Sequence, residues 1–580
     1  MTHNLAPHII LSAWRSRVLV ILFLLSFLGL VGRSAYLQIS QNEFYKQKGE
    51  SRYSRVVEIS AHRGMITDRN GEPLAISTPV ESLWANPAAV SATYSQLKKL
   101  SALIEVDVAD ISKKIGNEKR DFVYLKRHLA PEIIAKVVEL NIPGVFSNPE
   151  FHRYYPSGKI TAQMLGFTNI DDKGQEGIEL GWQDILAGKS GSRRVIKDRK
   201  GRIVEGVEII LKSKPGKDIA LSLDSKIQYR AYRELKRAMD THKAKAGGIV
   251  VLDSQTGEVL ALVNLPTYNP NNNNRTGRNG GKARNRVLTD QFEPGSTMKP
   301  FTVASALEAG KIKPDTEFNI APGTITIGRR TIRDAHAVSI EEGIVTVEQV
   351  IQRSSNVGTV KISKLLPAQT MWETLNSSGF GTTTGSGFPG EVKGMLHLPP
   401  WRPIRQATMS YGHGIAVNLL QLARAYTLFS EEGKLKPVSL LKIDTPPAGK
   451  QVISRKTALA VSKMLEMVVA KGGTATEAQI EGYRVAGKTG TSHKVKVGGG
   501  YEKKKYVASF VGYAPASNPR LIIAVMLDEP SAGKHYGGQV AAPVFSRVMA
   551  DSLRNLSVPH DAPINKTVLS PVIPGLKGDV

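Results

Sequence analysis

At 580 residues, with 41% hydrophobic and 22% charged content, the chain is long enough for two or more folded domains and too apolar to be disordered. It contains no cysteine, which removes disulfides, thiol catalysis and cysteine-held metal sites together. A formal charge of +26 raises nucleic acid as a partner, but no binding motif accompanies it; the excess suits an anionic polymer, lipid head groups or a merely solvated basic surface.

Between Arg17 and Arg33 no residue is charged. Continued through Ala35, Tyr36, Leu37 and Ile39, with Arg33 snorkelling, the run reaches the roughly 20 residues that a membrane-spanning helix needs. Gly32-Arg33-Ser34-Ala35 is a poor signal-peptidase site, and Trp14 and Tyr36 sit where interfacial aromatics belong. Arg15 and Arg17 precede the span. The pattern predicts an uncleaved anchor over 15–39, with 1–14 in the cytoplasm and the remainder outside it.

From 40 to 217 the sequence reads as an irregular mixed α/β segment. Asp68-Arg69-Asn70-Gly71 is a hairpin-turn signal, and 133–140 follows helical periodicity. Arg153-Tyr154-Tyr155-Pro156 and Gly177-Ile178-Glu179 read as packing and salt-bridge residues. The stretch 212–217 (Lys-Ser-Lys-Pro-Gly-Lys) marks a boundary.

Beyond it the pattern predicts a strand over 219–223, a helix over 225–241, and a hairpin of 248–252 and 259–264 around Thr256-Gly257. An Asn-, Gly-, Pro- and Arg-rich surface loop fills 268–286. A helix opened near Ser296 continues over 301–309 to Gly310, and 419–429 and 457–469 also read as helices. Strands at 506–511 and 521–527 precede a closing helix at 540–553 and a mobile tail at 558–580. Strands at both ends imply a sheet completed only when the chain returns.

Within the phrase Phe292-Glu293-Pro294-Gly295-Ser296-Thr297-Met298-Lys299, a hydroxyl and an amine three positions apart share one helix face, so the amine can take the hydroxyl's proton. The spacing alone is common: Ser95 with Lys98, Ser439 with Lys442 and Ser531 with Lys534 repeat it. Only Ser296 is followed in order by Ser354-Ser355-Asn356 and Lys488-Thr489-Gly490-Thr491; Ser40-Gln41-Asn42 and Lys189-Ser190-Gly191 are isolated look-alikes. Lys299 works as a base near neutrality only if burial or a second cation such as Lys488 lowers its pKa from about 10.4. Ser354 can relay a proton and Asn356 can pair with a peptide backbone. Lys488-Thr489-Gly490-Thr491 reads as an edge strand, with Gly490 leaving one side clear for a peptide and the cation and hydroxyls suited to a carboxylate.

The ordered triple is a penicillin-binding-protein signature. Together with the anchor, Arg63-Gly64, Asp68 to Gly71, Arg153 to Pro156, Pro266-Thr267-Tyr268-Asn269-Pro270-Asn271 and Ala541-Ala542-Pro543-Val544-Phe545, it resembles the class B penicillin-binding proteins. Within that family the likeness is to the division-specific (septal) D,D-transpeptidases of Gram-negative bacteria. The resemblance implies a mixed α/β chain: a single transmembrane helix, an elongated α+β pedestal of the dimerisation type over 40–217, and a transpeptidase domain over 218–557. The latter would be a five-stranded antiparallel sheet sandwiched by helices.

By the same resemblance Ser296 is the acylated nucleophile, Lys299 its base, Ser354 the relay and Asn356 a ligand of the donor peptide. Lys488, Thr489 and Thr491 hold the terminal carboxylate, and the amides of Ser296 and Thr491 form the oxyanion hole. No metal or cofactor is implied. The partners implied are peptidoglycan stem peptides, β-lactams, the membrane, a septal glycan polymerase and other division proteins, with the catalytic part in the periplasm at the septum. Two departures touch an aromatic wall of Tyr411, Tyr506 and Tyr536: His413 and His535 stand where relatives often carry aromatics. A carboxypeptidase or β-lactamase, a non-enzymatic division scaffold and a signalling β-lactam receptor are the competing readings.

Overall fold

The uncharged N-terminal run is helical. A computed structural model, which describes residues 13–45, 54–197, 203–272, 281–335, 338–339, 341–496 and 498–564, has an α-helix at Ala13–Ala35 passing into a π-helix at Tyr36–Ser40. The span Ala13–Ser40 has 28 residues, contains an 18-residue window of mean hydropathy 2.2 and has nothing buried, so by length and composition it can cross a membrane. Most of the expected cytoplasmic segment lies outside the described residues.

Contacts divide the chain into two units. The first comprises the described parts of 1–61, 79–151 and 189–215. In it, Ser54–Ile59 pairs antiparallel with Gly191–Lys197, which pairs in turn with Ile203–Leu211. An apolar cluster of Leu83, Leu100, Ile111, Leu125, Ile134 and Val137 brings helices Tyr94–Ile104, Val108–Ile115 and Pro131–Glu139 onto strand Val123–Leu129. The helix expected at 133–140 starts earlier because Pro131, with its fixed φ and no N–H to satisfy, suits a first turn.

The second unit comprises the described parts of 62–78, 152–188 and 216–580. Its sheet has five strands: β1 (Ala246–Asp253), β2 (Val259–Leu265), β3 (Ala486–Val495), β4 (Tyr501–Ala514) and β5 (Leu521–Asp528). All neighbours are antiparallel, in the order β2-β1-β5-β4-β3, so β3 is an edge, as read. Every residue of β1 and β2 is buried, which explains why both read as continuous apolar runs rather than alternating ones. A Cβ on Gly247 would lie 2.9 Å from Leu235, and one on Gly248 would meet Val287 at 2.9 Å and Leu419 at 3.4 Å. Adjacent strand residues point to opposite faces. Helix Ser225–His242 therefore covers one face and helix Leu419–Ala425 the other, giving the helix-sheet-helix sandwich expected from the resemblance.

Several expected elements shift. The strand at 219–223 shrinks to Ile219–Ala220, while β4 extends well before 506. The closing helix is Ala542–Asn555, with Pro543 in its first turn, after a separate short turn at Gly537–Val540. The tail is not free from 558: Tyr483 donates to the Val558 carbonyl (2.7 Å), and Asp561 accepts from the Arg484 amide and the Ser517 hydroxyl, both at 2.7 Å. Residues 565–580, like 273–280 of the expected surface loop, lie outside the described residues.

Arg153 and Glu179, from the two segments read as packing and salt-bridge residues, form a buried ion pair, and Arg63 joins them. Glu179, wholly buried, accepts from Arg63 Nε and Arg153 Nε, each at 2.7 Å. Arg63 also reaches Gln183 (2.9 Å), and Arg153 the Ser77 hydroxyl (3.1 Å). The Asp68–Gly71 turn has Gly71 at φ +89°, and Asp68 accepts from the amides of Asn70 (2.8 Å), Glu72 (2.9 Å) and Ser225 (3.1 Å).

Candidate active site

Pro294 and Gly295, the latter at φ +58°, turn the chain into a 3-10 segment, Gly295–Met298, that feeds the helix Lys299–Glu308. That helix is buried from Lys299 through Ala306, and Phe301 packs edge-on against Phe380 and Tyr426. The turn is fixed from several sides. Thr297 Oγ1 donates to the Pro294 carbonyl (2.9 Å), Tyr426 to the Thr297 carbonyl (2.9 Å), and the Gly295 amide to the Gly412 carbonyl (3.1 Å). Gly412 has no room for a side chain, since a Cβ there would lie 2.1 Å from the Gly295 oxygen. Ser296 is left half-buried, its hydroxyl unengaged among the described residues, before the positive end of a helix.

Ser354 lies between the helices Val347–Gln352 and Asn356–Ser363 with φ +60°, a left-handed conformation that a non-glycine residue adopts at a cost. The bend turns its side chain inward. Lys488 Nζ donates to Ser354 Oγ at 2.9 Å and Lys299 Nζ reaches the same oxygen at 3.2 Å; Lys299 also bonds the Ser354 carbonyl. Both lysines have zero exposure. Burial brings Lys299 down to about 7, against a smaller opposing pull from Asp334. Burial first, and the Lys299 charge second, hold Lys488 well below the ordinary lysine value. Of the two expected causes, burial is the one that depresses Lys299, and the charge of the neighbouring lysine is felt at Lys488 instead. By contrast Ser95, Lys98, Ser531 and Lys534, which share the Ser-x-x-Lys spacing, are all exposed.

Asp334 has no motif to announce it. Its carboxylate accepts from Ser355 Oγ (2.8 Å) and from the amides of Asn356 and Val357 (3.0 Å for the latter), capping the helix that carries Asn356. Asn356 Nδ2 donates to the Arg333 carbonyl (2.7 Å), which leaves one amide proton and the oxygen for another partner.

On β3, Lys488, Gly490 and Ser492 share one side, while Thr489 and Thr491 point to the other. Gly490 is not clear for a ligand on its side-chain face: a Cβ would meet Ser509 Oγ at 2.4 Å, Pro294 O at 2.7 Å and Thr297 Cγ2 at 3.0 Å. Its bareness lets the serine turn close onto the strand, a tertiary contact that spacing could not reveal. Ser492 Oγ ties the same strand to the Glu293 carbonyl (2.8 Å). Thr489 Oγ1 lies 3.0 Å from Thr474 Oγ1, and Thr491 Oγ1 accepts the Gly537 amide at 3.0 Å, keeping its own proton to donate.

The rings form a row. Centroid separations run 5.0 Å from Tyr411 to His413, 6.2 Å to Tyr501, 6.1 Å to His493, 4.7 Å to Tyr506, 4.1 Å to His535 and 4.5 Å to Tyr536. Tyr501 and His493 escaped the sequence reading because nothing in their spacing marks them. Burial, aided by the charges of Lys299 and His493, pushes His413 down to about 4, so its ring is neutral near pH 7. Burial and the nearby Glu293 raise Tyr411 to about 12. Glu293 itself accepts from the Gly414 amide (2.7 Å) and the Tyr501 hydroxyl (3.0 Å), linking the serine turn, the 412–414 loop and the start of β4.

Comparison with known proteins gives two family models, a penicillin binding protein transpeptidase domain at residues 247–550 and a penicillin-binding protein dimerisation domain at residues 58–221. The chain is 43% identical over 544 residues to the probable peptidoglycan D,D-transpeptidase PenA of Neisseria meningitidis, covering 93% of this chain and 92% of that one. It is 39% identical over 557 residues to peptidoglycan D,D-transpeptidase FtsI of Escherichia coli, covering 95% and 93%. The apo transpeptidase domain of Burkholderia pseudomallei penicillin-binding protein 3 matches 59% of this chain and 98% of its own, at 48% identity and a TM-score of 0.54.

Proposed function

The chain belongs to the penicillin-binding proteins that carry a transpeptidase domain behind a dimerisation domain, and from that premise we propose that it cross-links peptidoglycan stem peptides through an acyl-enzyme on Ser296. One observation carries the reading: two buried lysines converge on the single hydroxyl of Ser354, beside the helix that presents Ser296. With its pKa near 7, Lys299 is available as a free amine. It takes the Ser296 proton as Oγ attacks the carbonyl of the penultimate D-Ala. The oxyanion is met by the amides of Ser296 and Thr491. Lys488 with the hydroxyls of Thr489 and Thr491 holds the terminal carboxylate. Ser354 passes the proton to the departing D-Ala nitrogen, and the peptide bond breaks. An amine from a second stem then attacks the ester and returns a proton to Ser296, leaving a new amide cross-link.

Asn356 positions the donor backbone, and Tyr411, Tyr506 and Tyr536 flank it. Gly490 contributes by letting the serine turn approach β3. A β-lactam, as a strained mimic of the donor, acylates the same serine. The apolar helix Ala13–Ser40 anchors the chain in the inner membrane with the catalytic unit in the periplasm. The motif likeness supports a role in septal synthesis, alongside a separate glycan polymerase. Ser296→Ala abolishes labelling by a fluorescent penicillin, and mass spectrometry places the penicilloyl group on the peptide containing Ser296. Labelling that survives the substitution overturns the assignment. Depletion that halts septation while cells keep lengthening supports the septal role; loss of lengthening instead refutes it.

A further inference from the structure

Most of the chain's positive charge has no part in the chemistry above. Two hairpins concentrate some of it. The strands Thr324–Ile327 and Arg330–Arg333 form the first, with Arg329 and Arg330 exposed at its tip and Arg333 exposed at its base, opposite Thr324. The β3–β4 hairpin is the second, with Lys496, Lys503 and Lys504 exposed near its tip. Among the described residues none of these six takes part in an ion pair; Glu502 is the one acidic side chain between Val495 and Tyr506.

Each hairpin is rooted in the site. Asn356 Nδ2 holds the Arg333 carbonyl at 2.7 Å, and β3 carries Lys488 and Thr491. They flank the same ring pair. Ile325, Ile327 and Ile332 of the first hairpin share an apolar cluster with Tyr411, and His413 leads 6.2 Å on to Tyr501 at the start of β4. The Arg330 charge is felt at the Tyr501 phenol, where it opposes the upward push of burial and Glu293. Arg330 of the first hairpin and the start of β4 in the second thus come together around Tyr501.

We propose that these tips form an anion-binding rim that holds the body of an uncross-linked peptidoglycan strand while one of its stems enters the Ser296 site. The inference rests on the transpeptidase reading: each donor stem ends in a carboxylate, so a strand presents many negative charges in series. Exposed Lys and Arg attract such a polyanion over roughly a Debye length of 8–10 Å at physiological salt, and the attraction fades as salt rises.

The test uses the full chain in detergent micelles and two donors: uncross-linked strands, and a small thioester ending in one D-Ala carboxylate. The variants are Arg329→Glu with Arg330→Glu, Lys503→Glu with Lys504→Glu, and the matching Gln pairs. The rim raises the KM for strands about tenfold in each Glu pair, with a smaller rise in the Gln pairs and a shallower salt dependence than wild type. Thioester acylation stays within about twofold. Unchanged strand KM with normal acylation overturns the rim alone. Equal loss on both donors also overturns it, because that reports damage to the site. A wild-type chain that never acylates at Ser296 sinks the transpeptidase reading and the rim together. If the Glu pairs weaken binding to anionic-lipid vesicles but leave strand use intact, the charge serves a membrane surface and the rim is wrong.

Discussion

The catalytic unit buries two clusters of charge and treats them in opposite ways. At Arg63, Arg153 and Glu179, a wholly buried carboxylate lies between two guanidiniums, with Arg63 Nη1 also bonded to Gln183 and Arg153 Nη1 to Ser77. At Lys299 and Lys488 two cationic side chains, just as deeply buried, share one neutral hydroxyl. Opposite charges offset each other's desolvation; like charges cannot, so the lysines give up proton affinity instead. The first arrangement holds chain segments together. The second makes a base that works near neutrality.

The sharpest way to break the contrast is to remove one member of each cluster. Lys299→Met lowers penicillin acylation by about 10³ to 10⁴-fold, within the span expected of a lost general base, and costs little thermal stability because a buried amine with no carboxylate in contact has gone. A stopped-flow acylation assay beside a melting curve reads both. Glu179→Gln does the reverse, taking from two buried guanidiniums the one carboxylate that both contact and costing about 3–5 kcal/mol of stability. Acylation per folded molecule stays within about twofold. If Lys299→Met melts as early as Glu179→Gln, the distinction between the two clusters fails.

Most of the candidate site was legible because its three elements are contiguous and occur in order. What stayed hidden was contributed by folding. Asp334 and Tyr501 arrive from segments with no motif spacing, and Glu293, though inside the quoted phrase, acquires its role only through Gly414 and Tyr501. The fold was readable where both faces of a strand are covered, as in β1 and β2. It was not readable at the start of β4, where Tyr501-Glu502-Lys503-Lys504-Lys505 is too polar to resemble a strand and only Tyr501 pairs with β3, opposite Val495. Which of four Ser-x-x-Lys pairs is buried is likewise a tertiary fact.

Smaller perturbations sharpen the account of the lysine pair. Ser354→Ala removes the oxygen that both amines approach and slows acylation about 100-fold, with the fold retained. The wild-type rate itself depends on the free amine of Lys299. Since its pKa is lowered to about 7, the second-order acylation rate levels off above that value and falls about tenfold per unit below it. Asp334→Asn gives the smallest effect. The Asp334 charge raises the Lys299 pKa, so neutralising it moves the acidic limb to lower pH, while the weakened helix cap costs about 1 kcal/mol. A limb that moves to higher pH contradicts the assigned sign.

The order β2-β1-β5-β4-β3 has a consequence for biogenesis. β5 occupies the middle of the sheet, yet its first residue, Leu521, is synthesised long after Asp253 ends β1. At about 5–20 residues per second the inner edge of β1 waits on the order of 10–50 s for its neighbour. Throughout that interval a nascent chain displays an apolar strand with unpaired amides and carbonyls, a ready template for aggregation. A stop codon shortly before Leu521 would therefore release a split sheet rather than a trimmed enzyme, even though every catalytic side chain had already been made.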